Sequence, residues 1–227
     1  MIIFERMKKS LLAVGLLISA SLSAQVGFSL ATGLSGLHNF SPQQQFWAFG
    51  QTVQTNFHFT PKDGAYVSLD FYTEGKYKNS FTAIAKSSLT QPEQLSYTAT
   101  GRINYREFSL GVRHYFRGTY NADKDFNLYG IAGFGLLFSK LSNTNSPSID
   151  TALYQAQVAE GEGHLQKLTF DLGFGGEVPV ATNFFIFVDG RTWLPASSST
   201  SPYLHNQKNV PMTFMLSAGL RVLFASY

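Results

Sequence analysis

Apolar and polar side chains alternate with a period of two along most of the chain, and the pattern is clearest between Leu165 and Leu194. In the first arm Leu168, Phe170, Leu172, Phe174 and Val178 alternate with Lys167, Thr169, Asp171, Gly173, Gly175 and Glu177. In the second arm Phe184, Ile186, Val188 and Leu194 alternate with Phe185, Phe187, Asp189, Arg191 and Trp193. A period of two over that length predicts strands, and the break at Pro179–Asn183 makes them a hairpin. One face is apolar and the other carries acids, a lysine and an arginine, so the sheet must hide one of them.

The same alternation recurs along the chain. A first strand sets Val26, Phe28, Leu30 and Leu34 against Gly27, Ser29, Ala31 and Ser35, and a second sets Trp47, Phe49, Val53, Phe57 and Phe59 against Gln54, Asn56 and His58. The turn at Thr60–Gly64 follows, with Pro61 presetting φ and Gly64 expected in the left-handed position. The third strand sets Ala65, Val67, Leu69 and Phe71 against Tyr66, Ser68, Asp70, Tyr72 and Glu74, with an extension towards Ala85. The fourth, within Leu95–Arg117, sets Phe108, Leu110, Val112 and Phe116 against Glu107, Ser109, Gly111, Arg113 and Tyr115. Upstream of it Arg102, Asn104 and Arg106 fall on the apolar side, which predicts either strand projecting into water or a bulge. Asp125–Lys140 forms the fifth strand, the hairpin supplies two more, and Met212–Phe224 is the last.

The predicted strands number eight. The shorter connections follow the second, fourth and sixth strands, and the long ones fall at the other end: Asn39–Gln44, Tyr77–Gln94, Ser142–Glu162 and Ala196–Asn209. Two closed barrels fit. A soluble lipocalin-like barrel would put its bulky Phe and Leu inside, and an eight-stranded interior has no room for them. A membrane barrel turns them to lipid, pairs its charges inside and alternates turns with loops. Aromatics near strand ends (Trp47, Tyr115, Phe116, Trp193, Tyr203, Tyr227) suit bilayer interfaces. The expected fold is therefore all-β: an eight-stranded antiparallel up-and-down transmembrane barrel with short periplasmic turns and longer outward loops.

Composition agrees with a single barrel domain at 25–227. The 227 residues are 44% hydrophobic, 15% aromatic and only 14% charged. Met7-Lys8-Lys9-Ser10, the apolar run Leu11–Ile18 and the small residues up to Ala24 read as a signal peptide over 1–24, cut after Ala24 or Ala20. The chain holds 17 Lys and Arg against 14 Asp and Glu; without Arg6, Lys8, Lys9 and Glu5 these fall to 14 and 13, too even for nucleic-acid binding. Cysteine is absent, which removes disulfides, a lipid-anchored Cys, a thiol nucleophile and thiolate-bound zinc. No later stretch approaches the roughly 20 apolar residues of a membrane helix.

With MKKSLLAVGLL and SLSA in the leader, LYGIAGFGLLF at 128–138, LTFDLGFGGEVPV at 168–180 and MLSAGLRVLF at 215–224, the chain resembles the small eight-stranded outer-membrane barrels, the OmpA/OmpX-like superfamily that includes barrels of the Bacteroidota. The resemblance implies a Gram-negative outer membrane and insertion by the barrel-assembly machinery, which reads a C-terminal aromatic strand. Phe224 is followed by Ala225-Ser226-Tyr227, so Phe224 and Tyr227 are the candidates for that signal.

The expected lumen charges are Asp70, Glu74, Glu107, Arg113, Lys167, Asp171, Glu177, Asp189, Arg191 and Arg221. They are read as a packed, paired network, since an unpaired charge is costly there. Lys76, Lys78 and Lys86 are candidates for contact with lipopolysaccharide phosphates. His164 and His205 lie in outward loops near Ser197–Ser201, Glu160 and Glu162, the raw material of a rim hydrolase without a spacing that fixes one. Gly130–Gly135 and Gly173–Gly176 lie within strands and miss the dinucleotide fingerprint, so they mark places where the wall bends or crowds. No catalytic, cofactor or metal site is expected. The expected role is structural and interactive, in a monomer that meets outer-membrane lipid and surface ligands. A narrow solute channel, a rim lipid hydrolase and a secreted lipid carrier are the alternatives.

Overall fold

A computed structural model describes residues 26–122, 124–196, 201–206 and 212–224. The expected leader at 1–24, Tyr227 and Ser197–Thr200 lie outside the described residues. The chain forms β1 (Gly27–Asn39), β2 (Phe46–His58), β3 (Asp63–Tyr72), β4 (Gly75–Ala85), β5 (Gln94–Arg117), β6 (Asn127–Ser146), β7 (Tyr154–Gln155), β8 (Gly161–Ala181), β9 (Phe184–Pro195) and β10 (Thr213–Phe224). Neighbours pair antiparallel in the order β3-β2-β1-β10-β9-β8-β6-β5, and β3 pairs with β5 to close the ring. Eight strands make the barrel, while β4 and β7 stand outside it, beyond the loop end.

Closure follows from the period. Every second side chain faces out, and the exterior carries exposed Leu34, Phe49, Phe71, Leu110, Phe134, Leu172, Phe174, Val188 and Leu216 around the ring. Such a belt needs an apolar surrounding, and the lateral pairing of β3 with β5 leaves the ring without a free edge.

The turn end is tight. Phe59 N and Thr60 N both donate to Asp63 O, at 2.9 and 3.1 Å, and Thr60 Oγ1 accepts from Lys62 N and Asp63 N. Gly64 does not take the left-handed conformation expected of it. It is the second residue of β3, where a Cβ would lie 2.5 Å from the Phe57 carbonyl oxygen, so close approach rather than φ demands glycine. At this end the left-handed glycine is Gly118, with φ +76°.

The loop end differs from expectation because the strands run on. β5 is 24 residues long, against the roughly 10 that cross a bilayer. Its pairing with β4 and β6 is regular past Arg102, Asn104 and Arg106, so these residues lie on strand projecting beyond the belt. The β5 bulge sits instead at Tyr115–Arg117, by the turn end. The span Tyr77–Gln94 is mostly strand, with only 86–93 as loop, and Ser142–Glu162 shrinks to 147–160 around β7. β3 breaks at Thr73-Glu74, and β4 resumes on β5 alone until β7 joins it at Ile84 and Ala85.

Candidate functional site: the lumen and its outward mouth

Inward parity brings nine of the ten expected lumen charges into the barrel. Asp70, Glu107, Arg113, Lys167, Asp171, Glu177, Asp189, Arg191 and Arg221 are all buried. Glu74 is the exception: it falls in the break between β3 and β4, lies exposed and stands 3.9 Å from Arg102 on the outer surface. β3 ends at Tyr72, two residues before Glu74, and the period of two ends with it.

Near the turn end Glu177 of β8 is the hub. Arg221 of β10 reaches it with Nε to Oε2 at 2.9 Å and Nη2 to Oε1 at 2.5 Å. Tyr115 Oη and Asn127 Nδ2 donate to Oε1, and Arg113 Nη1 stands 3.9 Å from Oε2. The two guanidiniums lie over rings, Arg113 at 4.0 Å from the Tyr129 centroid and Arg221 at 3.9 Å from that of Phe185. Tyr120, from the β5–β6 connection, accepts from Arg221 Nη2 at its carbonyl and stacks on His58 at 4.3 Å. The connection thereby covers this end of the lumen.

Midway, Arg191 donates from Nε and Nη2 to Asp189, at 3.3 and 3.1 Å, and from Nη2 to Gln54 Oε1. Glu107 accepts from Thr169 Oγ1, which also reaches Asp171, and Asp70 accepts from Ser68 Oγ at 2.9 Å. Asp70 and Glu107 stand directly opposite across the β3–β5 ladder. Among the described residues Asp70, Glu107 and Asp171 form no ion pair, whereas Glu177 and Asp189 do.

The outward half of the lumen is mainly aromatic and aliphatic, with Lys167 and Ser139 buried beside it. Leu37, Phe46, Tyr72, Tyr77, Ile103, Tyr105, Leu137, Leu141, Trp193 and Met215 pack into one buried cluster. Trp193 meets Tyr72 and Tyr105 edge-on, at 5.7 and 6.3 Å. Trp193 and Tyr115, expected at bilayer interfaces, therefore lie inside at 2% and 1% exposure, while Trp47 and Phe116 remain outside. The signal was present in the sequence as apolar residues of inward parity, at positions that a water-filled lumen would leave polar.

Residues 201–206 close the mouth. Leu204 is fully buried in the aromatic cluster. Ala159 N donates to Pro202 O, Asn143 Nδ2 to Tyr203 O at 2.8 Å, and Asn206 Nδ2 to Ser41 Oγ at 3.0 Å. Asn79 Nδ2 donates to His205 Nδ1 at 2.8 Å, and His205 Nε2 reaches Asn143 Oδ1 at 3.3 Å, a pattern that assigns the proton to Nε2. Burial holds this ring neutral, lowering its pKa to about 4. His164 is exposed on the outer face of β8, opposite Lys140, so the two histidines are not brought together. Glu160 accepts from Ser148 and Glu162 pairs with Lys140 at 2.9 Å. Among the described residues no three His, Asp or Glu side chains are placed to hold a metal.

On the outer surface beyond the belt Lys76 and Lys78 of β4 are exposed, with Lys76 directly across the ladder from Arg102. Lys86 leaves that face and donates from Nζ to Thr151 O at 2.6 Å. Phe224 sits on the belt with its ring 5.5 Å from that of Phe28.

No protein-family model matches the chain, and no curated protein matches it. Among solved structures, that of Neisserial surface protein A (NspA) superposes with a TM-score of 0.54 at 12% identity, covering 87% of this chain and 97% of that one. Outer membrane protein OprG from Pseudomonas aeruginosa superposes with a TM-score of 0.50 at 12% identity, covering 89% and 98%. At such identity the likeness is one of fold. The chain has the closed eight-stranded architecture of the small outer-membrane barrels that its sequence resembles.

Proposed function

We propose that this chain is an integral barrel of a Gram-negative outer membrane, exported on its leader and inserted through its last strand. Its role is structural and interactive, without a catalytic step, and it is played by the outward connections. The observation that carries this reading is a lumen filled along its length: an ion-paired network below, an aromatic cluster above, Tyr120 at one end and Leu204 at the other. Eight strands leave room for little more than side chains, and here the side chains interlock. Lys76 and Lys78 are proposed to meet lipopolysaccharide phosphates just beyond the belt, with Arg102 beside them.

A narrow channel is the second reading. It is favoured by one observation, the three carboxylates Asp70, Glu107 and Asp171 that lack an ion pair among the described residues. Conductance in a planar bilayer separates the two. The filled barrel is expected to be silent as wild type, and as Arg191→Ala and Arg221→Ala. Steady discrete openings of the wild type, altered by either change, would replace it with the channel.

A further inference from the structure

β4 is paired along one side only. It follows β5 from Gly75 to Ile84, and among the described residues its other edge carries no ladder until β7 meets Ile84 and Ala85. Backbone groups alternate along a strand: Ala85 N donates to Glu93 O on the β5 side, and Lys86 N donates to Leu153 O on the other. Counted back by two from Lys86, the N–H and C=O groups of Thr82, Ser80 and Lys78 point away from β5. Lys78 and Ser80 are exposed, so this stretch of edge stands open beyond the belt.

β7 shows what the edge accepts. It pairs antiparallel, Ile84 with Gln155 and Ala85 with Tyr154, and then leaves, as Gln157 N and Val158 N turn to Tyr97 Oη at 3.1 and 3.3 Å. Residues 154–157 and Phe81 of β4 also line a solvent-open cleft of about 1150 Å³, so the open edge borders room for further side chains. The wall is firm, since Phe81, Tyr97, Tyr154 and Val158 belong to a second buried cluster.

Charge around the edge is one-sided. Lys76 and Lys78 are exposed on the outer face, Arg102 lies across from Lys76, and Lys86 ends the strand with Nζ on the neutral Thr151 O. Of the nearby carboxylates, Glu74 stands 3.9 Å from Arg102 and Glu93 lies on the β5 side of Ala85. A second copy of the chain would bring its own lysines to the edge, adding like charge. We infer that the free edge of β4 docks an extended, acidic polypeptide segment, which adds antiparallel to Lys78–Thr82 as a further strand. Its alternate side chains lie over the lysines outside and enter the cleft beside Phe81. The inference rests on the reading of the barrel as a surface-interaction protein, and it gives that reading a partner class.

The test uses the full chain in phosphocholine nanodiscs, which hold no lipopolysaccharide to compete for the lysines. The probe is a short fluorescent peptide alternating glutamate and valine, read by anisotropy. In an antiparallel strand with its acids outward, the glutamate nitrogens face β4 and the valine nitrogens face away. The expected result is binding that N-methylation of the glutamates abolishes and N-methylation of the valines does not. The amides of Ser80 and Thr82 gain protection from deuterium exchange, while those of Asn79 and Phe81, already turned to β5, do not change. Ser80→Pro removes an outward N–H and spares the β5 ladder, so it should weaken binding about tenfold, and Ser80→Ala should not. An unchanged thermal unfolding midpoint shows that each variant has folded. The inference is overturned if the peptide does not bind, if a lysine–valine peptide binds as well, or if methylated glutamates bind like the parent. It is overturned too if Ser80 and Thr82 are already protected without peptide, since a second copy or another segment of this chain would then hold the edge. Any of these, with a silent bilayer, would leave the filled barrel standing and remove only the docking edge.

Discussion

Arg221 and Glu177 meet across the lumen through two parallel contacts, 2.9 and 2.5 Å long, between strands that are not neighbours in the barrel. Glu107 has no such partner among the described residues and faces Asp70 across a ladder rung. The two glutamates are chemically identical, equally hidden and oppositely placed. Removing one partner of a buried pair strands the other, at about 3–5 kcal/mol. Glu177→Gln is therefore expected to cost that much in urea unfolding from lipid vesicles. Glu107→Gln breaks no ion pair among the described residues and is expected to stay within about 1 kcal/mol of wild type. Equal losses from the two would show that the network works as one unit.

The belt predicts its own sensitivity. Phe134 of β6 is exposed on the outer face, its ring 5.0 Å from that of Phe170 on β8. An arginine there would stand in hydrocarbon, and Phe134→Arg is expected to cost about 2–4 kcal/mol in vesicles. The same change at Lys78, beyond the belt, is expected to cost nothing measurable. A Phe134→Arg protein as stable as wild type would place lipid elsewhere.

Docking of residues 201–206 depends on pH through His205. Folded, the ring resists protonation down to about pH 4, against an ordinary value of 6.5. Between those values the undocked segment binds a proton that the docked one excludes, so docking weakens as pH falls through that window and levels off below it. Amide exchange in 201–206, corrected for intrinsic rate, is expected to rise from pH 7 to pH 4.5, and His205→Gln to flatten the profile. A flat wild-type profile would mean that the ring does not hold the mouth.

Tyr66 of β3, the ladder partner of Gly111, lays its ring over the adjoining rung made of Gly111 and Gly133. A Cβ on Gly133 would stand 2.4 Å from the Leu110 carbonyl oxygen and 2.6 Å from Tyr66 Oη. The ring can move but the carbonyl cannot, so Gly133→Ala is expected to lose about 1–3 kcal/mol, seen as a lower thermal midpoint. Adding Tyr66→Phe should recover only part. A neutral Gly133→Ala would show that the wall yields there.

The sequence by itself determined the eight barrel strands and their faces, because a period of two is a local property and each run states its own parity; β4 and β7, beyond the belt, were not legible in it. It also placed Asp70, Glu107, Arg113, Lys167, Asp171, Glu177, Asp189, Arg191 and Arg221 inside, since burial in a barrel follows from parity alone. Which of these charges pair was decided only by the tertiary structure, through strand stagger: Glu177 meets Arg221 over an intervening strand, and no sequence spacing encodes that distance. The same holds for Glu74, where a break in the backbone ended the parity, and for Trp193, which parity put inside but only packing against Tyr72 and Tyr105 made a plug. The mouth was the least legible part. Leu204 and His205 sit in a loop without period, and their places depend on Asn79, Asn143 and Ser41, which come from three other segments of the chain. Local alternation specifies a wall; what fills and caps it depends on contacts between residues far apart in the chain.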